Sequence, residues 1–361
     1  MKIAILGKGL AGVITALHWK MLSPGTEVEL YYDEEIPTEP VGSGSFPGLT
    51  DFLADTFGWS LTWQNNTFAA TPKMGIMYEN WGTKGDWFHP FNFNTVGMHF
   101  DPHAFQDSMC NTGIFPVTQK HISSYNDIDA DYIYDCTGSP KDYTDYIELK
   151  NPLNKVLLSN TPNPEFVPWT RTVATPDGWC FVIHLKDRVQ YGYLYNDTIT
   201  TDEQAESNFK ELFPVTKIVK KFPFRNYCAK NPVIDDGNRK IFLNGNKYFF
   251  IEPMEATSVA GYLKWTYKTM DVILDGVPME SALFDMQRSI KENSNFILYH
   301  YQFGSKYKTP FWDYAKTLTV DDPHIQNIID MNLRTGMVTY GFHSSESVMN
   351  MYEGLQNIYT P

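Results

Sequence analysis

Residues 2–6, Lys-Ile-Ala-Ile-Leu, form a short apolar run that breaks at Gly7-Lys8-Gly9-Leu10-Ala11-Gly12 and resumes with apolar residues at helical spacing through Trp19. A run too short for a helix, a glycine cluster and then a 3.6-residue period predict strand, tight turn and helix. Val28 to Tyr32 follows the Pro24-Gly25 turn, alternates apolar with other residues and predicts a second strand ending at Asp33-Glu34-Glu35. The chain therefore opens on a βαβ-like unit. Residues 40–120 read as loop-rich, with many Gly, Pro and aromatic residues, including Gly-Ser-Gly-Ser at 42–45 and Trp81, Trp87 and Phe88 close together. Excursions of that length are expected to be functional loops. Asp131 to Asp135 reads as a strand running into Cys136-Thr137-Gly138, and residues 171–196 read as β-rich. Beyond Glu255, residues 260–274, 280–291 and 323–333 carry apolar residues three and four apart and read as helices.

Length and charge narrow the function classes. The 361 residues bury a core without staples, and 15% aromatic against 20% charged residues fits a folded chain rich in buried rings. Lys and Arg number 29 against 42 Asp and Glu, a formal charge of −13 that speaks against nucleic acid or an anionic membrane as partner. Cys110, Cys136, Cys180 and Cys228 lie far apart, so neither a disulfide framework nor a metal site is signalled. Residues 3–19 are too interrupted by Gly7, Lys8, Gly9 and Gly12 to be a secretory signal, and no run of 18 apolar residues follows. A cytoplasmic protein is expected.

Gly7, Gly9 and Gly12 fit G-x-G-x-x-G between a strand and a helix, the context in which that pattern binds a dinucleotide. Gly7 allows the turn, Gly9 the approach of a pyrophosphate and Gly12 the packing of helix on strand. Leu10 and Ala11 open the helix. The acid that would bind a ribose is Asp33, displaced by one residue with Tyr32 in the usual place.

Further segments follow in a definite order: Ile36-Pro37-Thr38 with Val41-Gly42-Ser43-Gly44-Ser45-Phe46-Pro47; Thr71-Pro72-Lys73-Met74-Gly75-Ile76 with Trp81 and Phe88-His89-Pro90-Phe91; Gly178-Trp179-Cys180-Phe181-Val182-Ile183-His184; and Phe250-Ile251-Glu252-Pro253-Met254-Glu255-Ala256-Thr257. Tyr299-His300-Tyr301 and Thr309-Pro310-Phe311-Trp312 complete the series. This order resembles the flavin-dependent halogenases of the tryptophan-halogenase type, over residues 1 to about 312. It departs from them in Ser43 for a strap glutamate and in Phe181 and His184 for the second tryptophan and the proline of W-x-W-x-I-P. No C-terminal aromatic matches the one that clamps tryptophan. The compact, aromatic-rich chain would suit a phage-encoded member.

The resemblance implies an α/β fold, a glutathione-reductase-like, Rossmann-type FAD module with an interleaved β-rich and helical substrate part. The module is expected at approximately 1–50, 100–140 and 225–265, and the substrate part at approximately 51–99, 141–224 and 266–361. It implies halogenation of an indole- or phenol-type aromatic: reduced FAD and O2 give a flavin hydroperoxide, which oxidises chloride, bromide or iodide to hypohalous acid. Lys73 and Glu255 would direct the halogen. The glycines of the turn, Leu10, Ala11, Asp33, Gly42, Ser43, Gly44, Ser45 and Gly245 would contact FAD. Thr257 and Ser258 would hold halide, Trp179 and Phe181 would gate the flavin side, and His89 and Phe91 would wall the substrate. A separate flavin reductase is implied; a homo-oligomer is left open.

Each residue also has a plain reading. Lys73 could be a solvated loop lysine, Glu255 a helix start, Trp179 and Phe181 core, and His89 and Phe91 packing residues; His184 and His300 read as structural histidines. An FAD monooxygenase on the same fold, or a noncatalytic flavin-binding chain, are the competing functions.

Overall fold

The computed structural model describes residues 1–36, 43–57, 66–83, 85–92, 95–162, 165–320 and 339–356. The fold is mixed α/β, built from two large sheets meeting at a cavity. The first runs, in spatial order, Val233–Asp235, Lys240–Leu243, Tyr132–Asp135, Lys2–Leu6, Glu27–Tyr32 and Val117–Gln119. Lys2–Leu6 pairs in parallel with both neighbours, and four of its five residues are buried. A central parallel strand covered on both faces needs such a continuous apolar run.

The helix Leu10–Leu22 leaves that strand through Gly7, whose φ of +105° is open to glycine alone; a Cβ there would lie 2.5 Å from the Cys136 carbonyl oxygen. At Gly12 a Cβ would meet the Gly7 oxygen at 1.9 Å, so helix and turn touch only because both residues lack side chains. The helix packs on Ser258–Leu274, where Asn244 ties the pair together by donating to the hydroxyls of Thr15 and Thr266 at 3.0 and 3.2 Å.

The second sheet runs Lys220–Pro223, Lys155–Pro162, Arg188–Tyr195, Gly178–His184, Thr170–Thr175, Gly75–Trp81 and Gly85–Pro90. Every pairing is antiparallel except Thr170–Thr175 with Gly75–Trp81. A small sheet of Ser43–Gly44, Gly97–Phe100 and Thr71–Lys73 stands beside it.

Residues 40–120 depart from the loop-rich expectation. Besides the strands just named they hold the helices Pro47–Phe57 and Pro102–Cys110, the latter capped by Asp101, which accepts from the Ala104 amide. Glycine and proline punctuate strands here that are too short to show a period. The helix expected over 280–291 extends over Met279–Phe303 and stops at Gly304, with φ +67°. Its last turns are buried nearly all round, which erases the stripe that marks a helix. The strand over 131–135 starts at Tyr132, and the β-rich stretch resolves into three strands. Asp202–Leu212, Pro310–Ala315 and Ser345–Gln356 are further helices that the pattern did not announce. The helix expected over 323–333 lies outside the described residues. Among the described residues no helix is long and apolar enough to cross a membrane, and no cluster of metal-ligating side chains occurs.

Candidate active site

The glycine turn opens onto a cavity of about 940 Å³, lined by Gly7, Gly9, Leu10, Ala11, Asp33, Cys136 to Ser139, Trp179 and Phe181. A Cβ at Gly9 would meet no protein atom within 4 Å, so its absence leaves room on the cavity side. The helix Leu10–Leu22 has no side-chain cap, and its first amide donors are free for an anion. A bare helix N-terminus beside a long cavity fits the pyrophosphate and ring system of FAD.

A second, smaller cleft of about 230 Å³ lies beyond a shared wall. Lys73, Ile76, Glu255 and Ala256 line both spaces, while His89, Phe91, Thr257, Phe342, His343 and Ser347 line the cleft only. Lys73 ends the strand Thr71–Lys73 and is 1% exposed, so the solvated-lysine reading fails. Its Nζ stands 5.3 Å from the Phe91 ring centroid and next to Gly44, where a Cβ would approach it to 3.4 Å. No hydrogen bond or ion pair to another described residue holds the Nζ. Burial lowers its pKa to about 8, with the charge of Glu255 opposing.

Glu255 sits at φ +68°, and Ala256 after it at φ +51°, in a left-handed turn between Pro253 and the helix Ser258–Leu274. Two consecutive non-glycine residues in that region are strained and persist only where surroundings impose them. The imposition is visible: Tyr78 Oη donates to Glu255 Oε1, and His300 Nε2 lies 3.1 Å from the same oxygen. His300 Nδ1 donates to the Phe296 carbonyl at 2.8 Å, so a proton on Nε2 is what lets it face a carboxylate. His343 Nδ1 lies 4.0 Å from Oε2. Burial works to raise the Glu255 pKa, but the hydrogen bond and charge of His300 outweigh it and hold the carboxyl ionised well below the usual range.

Thr257 accepts from Asn293 Nδ2 at 2.9 Å, leaving its own O–H to donate into the cleft. His89 Nε2 meets Ser347 Oγ at 3.1 Å, its Nδ1 has no partner among the described residues, and burial lowers its pKa.

A family model described as tryptophan halogenase matches residues 2–113 and 116–357. The chain belongs to the tryptophan halogenase family. It is 22% identical over 441 residues to tryptophan 7-halogenase RebH of Lentzea aerocolonigenes, covering 93% of this chain and 82% of the relative. Tryptophan 6-halogenase SttH of Streptomyces toxytricini has the same fold, with TM-score 0.81, 18% identity and 99% and 91% of the two chains covered. So does Xcc4156, a flavin-dependent halogenase from Xanthomonas campestris, with TM-score 0.83, 18% identity and 98% and 88% covered. The protein is thus an enzyme, a flavin-dependent halogenase, and the family implies FAD, halide, O2, an aromatic substrate and, in general, a separate flavin reductase.

In this halogenase the structure gathers most of the residues singled out from the sequence onto the two cavities. Gly44 and Ser258 line the large one. Ser45 lines the small one, with its hydroxyl accepting the Met98 amide at 2.9 Å. Gly245 lies beneath the turn instead, where a Cβ would come within 2.6 Å of Ala11 Cβ. Asp33 reaches the large cavity with its carboxylate already engaged by His121 Nδ1 at 2.6 Å. Trp179 and Phe181 are buried as an edge-to-face pair with centroids 6.2 Å apart, and both face the cavity. Pro37, Thr38, Val41 and Gly42, and the side chain of Ser43, lie outside the described residues.

One placement differs from the sequence reading, and three residues of the site were not singled out by it. His300, read as structural, bonds Glu255 directly. Phe342, which the sequence reading did not single out, lines the cleft. Tyr78 and His343 went unnoticed, because only the paired strands and the docked C-terminal segment carry them to a residue far away in sequence.

Proposed function

We propose that this halogenase modifies an electron-rich aromatic of indole or phenol type, with Lys73 and Glu255 directing the halogen. The single observation that carries the reading is the shared wall: both side chains, buried and oppositely chargeable, stand where the large cavity meets the cleft. Bound reduced FAD and O2 supply the oxidising equivalent that turns halide into an electrophilic halogen. Thr257, with its hydroxyl proton free, is the donor placed for halide or for the oxygen that leaves it.

Lys73 receives the halogen at the wall. A lysine whose pKa is lowered to about 8 carries a useful fraction of neutral amine near neutral pH, and its lone pair is what an electrophilic halogen seeks. Glu255, ionised and fixed by Tyr78 and His300, takes the proton that the ring gives up on substitution. Phe91 and the neutral His89 offer flat faces for the aromatic ring. Trp179 and Phe181 wall the other space, so that organic substrate stays out of contact with the flavin.

The test is product analysis by mass spectrometry after incubation with FAD, NADH, a flavin reductase, O2, bromide or iodide and a panel of phenols and indoles. Halogenated product lost in Lys73→Ala supports the reading. Hydroxylated product, or halogenation unchanged in that variant, overturns it.

A further inference from the structure

The cleft contains an acceptor that the chemistry above leaves unused. His343 sits at the end of a tight turn in which the Tyr340 amide donates to the His343 carbonyl at 3.1 Å and the His343 amide returns to Tyr340 at 3.0 Å. Gly341, at φ +63°, lets this turn press on the helix Met279–Phe303: a Cβ there would meet the Asn293 amide nitrogen at 2.9 Å. The Gly341 amide donates to Glu292 Oε2 at 2.8 Å, and the imidazole rests on Phe296 with ring centroids 4.1 Å apart. The ring is therefore fixed on three sides.

Its tautomer is fixed as well. His343 Nε2 lies 2.9 Å from Asn293 Oδ1, and Asn293 Nδ2 donates to Thr257 Oγ1 at 2.9 Å. An amide oxygen only accepts, so Nε2 carries the proton and Nδ1 presents a lone pair. That lone pair faces Glu255 Oε2 at 4.0 Å, two acceptors side by side on the lining of the cleft. Burial lowers the His343 pKa to about 4, with Glu255 opposing, which keeps the ring neutral at working pH. Paired acceptors without a donor between them are unfavourable unless the occupant of the cleft supplies one.

We propose that His343 determines substrate specificity: its Nδ1 accepts a hydrogen bond from an O–H or N–H on the aromatic substrate, so the cleft selects phenols or indoles over their methylated analogues. This rests on the proposed function and names the recognition element within it. The hydrogen bond also draws electron density into the ring, favouring attack on an electrophilic halogen. The donor is chemically simple, and matched pairs separate its two forms: 2-naphthol against 2-methoxynaphthalene, and indole against 1-methylindole.

Two variants divide positioning from recognition. In His343→Asn the short amide reaches the Nδ1 position and keeps an acceptor in the cleft while losing Asn293. In His343→Gln the longer amide reaches the Nε2 position and keeps Asn293 while losing the acceptor. The native enzyme should favour the O–H or N–H member of at least one pair by about 10- to 100-fold in kcat/KM. His343→Asn should retain most of that preference, and His343→Gln should lose it through a fall with the free O–H or N–H substrate much larger than any change with the methylated partner. Equal treatment of both members by the native enzyme overturns the proposal, as does a His343→Gln variant that keeps the native preference or slows both members alike. Fluorescence titration with 2-naphthol and 2-methoxynaphthalene provides a readout free of turnover. There His343→Gln should weaken the naphthol only. If no panel compound is halogenated yet this binding difference holds, the proposed reaction fails while the recognition element stands.

Discussion

Glu252 and Glu255 lie on one short turn, both buried, and their surroundings drive them in opposite directions. Glu255 is met by the Tyr78 hydroxyl and by His300, groups that favour its charge, and its carboxyl is held ionised. Around Glu252 the donor is the Tyr301 hydroxyl, 2.8 and 3.0 Å from its two oxygens, and burial pushes its pKa up to about 7 with Tyr301, Asn151 and Trp179 opposing. Glu255 lines both cavities and Glu252 lines neither. Two carboxyls of one sequence motif thus divide into a chemical group and a structural one, and the division is made by residues elsewhere in the chain.

The largest test of that division is catalytic. Glu255→Gln keeps the shape of the side chain and removes the charge that takes the ring proton; the rate of halogenated product should fall about 10²- to 10³-fold. Flavin-dependent oxygen consumption should stay near native. Glu252→Gln should change product formation by no more than about threefold. Equal losses in the two variants would erase the distinction.

The second test is stability against pH. The native state binds the Glu252 proton more tightly than the unfolded chain, since its pKa is raised from 4.5 to about 7. Its contribution is therefore whole below pH 4.5 and is lost as pH rises through about 7. The loss is on the order of 3–4 kcal/mol. Glu255 has the opposite sign: its contribution is lost only as pH falls below the ordinary carboxylate range. In Glu252→Gln the difference from native should grow in the variant's favour between pH 5 and pH 8, measured by denaturant unfolding at each pH. A constant difference would place the Glu252 carboxyl in water.

Lys73 couples to the Glu255 side and gives a third, smaller effect. If the neutral amine receives the halogen, the rate of product formation under excess reduced flavin rises with pH, about tenfold per unit well below pH 8, and levels off above it. Ionised Glu255 adds no step to that profile between pH 5 and pH 9. A rate that falls through pH 8 would assign the work to the ammonium instead.

How much of this was legible from the sequence follows from the range of the contacts. The opening strand, turn and helix are local, and so is the demand for glycine at Gly7 and Gly12; the structure begins its strand at Lys2 and its helix at Leu10. Lys73 and Glu255 were visible as motif residues, but their burial was not, because a lysine at the end of a three-residue strand has no period to announce it. The partners that fix Glu255 come from 177 positions away at Tyr78 and 45 at His300. His300 lies on the buried last turns of a long helix, where a histidine looks like any packed residue. The turn that seats His343 shows in sequence only as Gly341, and nothing local tells that it docks on Asn293.

The smallest effect concerns the backbone between the two glutamates. Pro253 has φ −74°, an ordinary value, whereas Glu255 and Ala256 both have positive φ, so the strain lies on the chemical side of the turn. Ala256 has the shorter side chain of the two and makes none of the hydrogen bonds that fix Glu255, which isolates the backbone term. Glycine there relieves a left-handed residue, partly offset because the unfolded chain gains freedom that folding must remove, for a net gain of about 0.5–1 kcal/mol. Ala256→Gly should therefore raise the denaturant midpoint without changing its slope. Because Ala256 lines both cavities, the same variant should also loosen the wall, so that oxidised halide appears in solution while substrate halogenation falls a few-fold. A lowered midpoint would show that the turn is held without strain, and that Glu255 owes its position to Tyr78 and His300 alone.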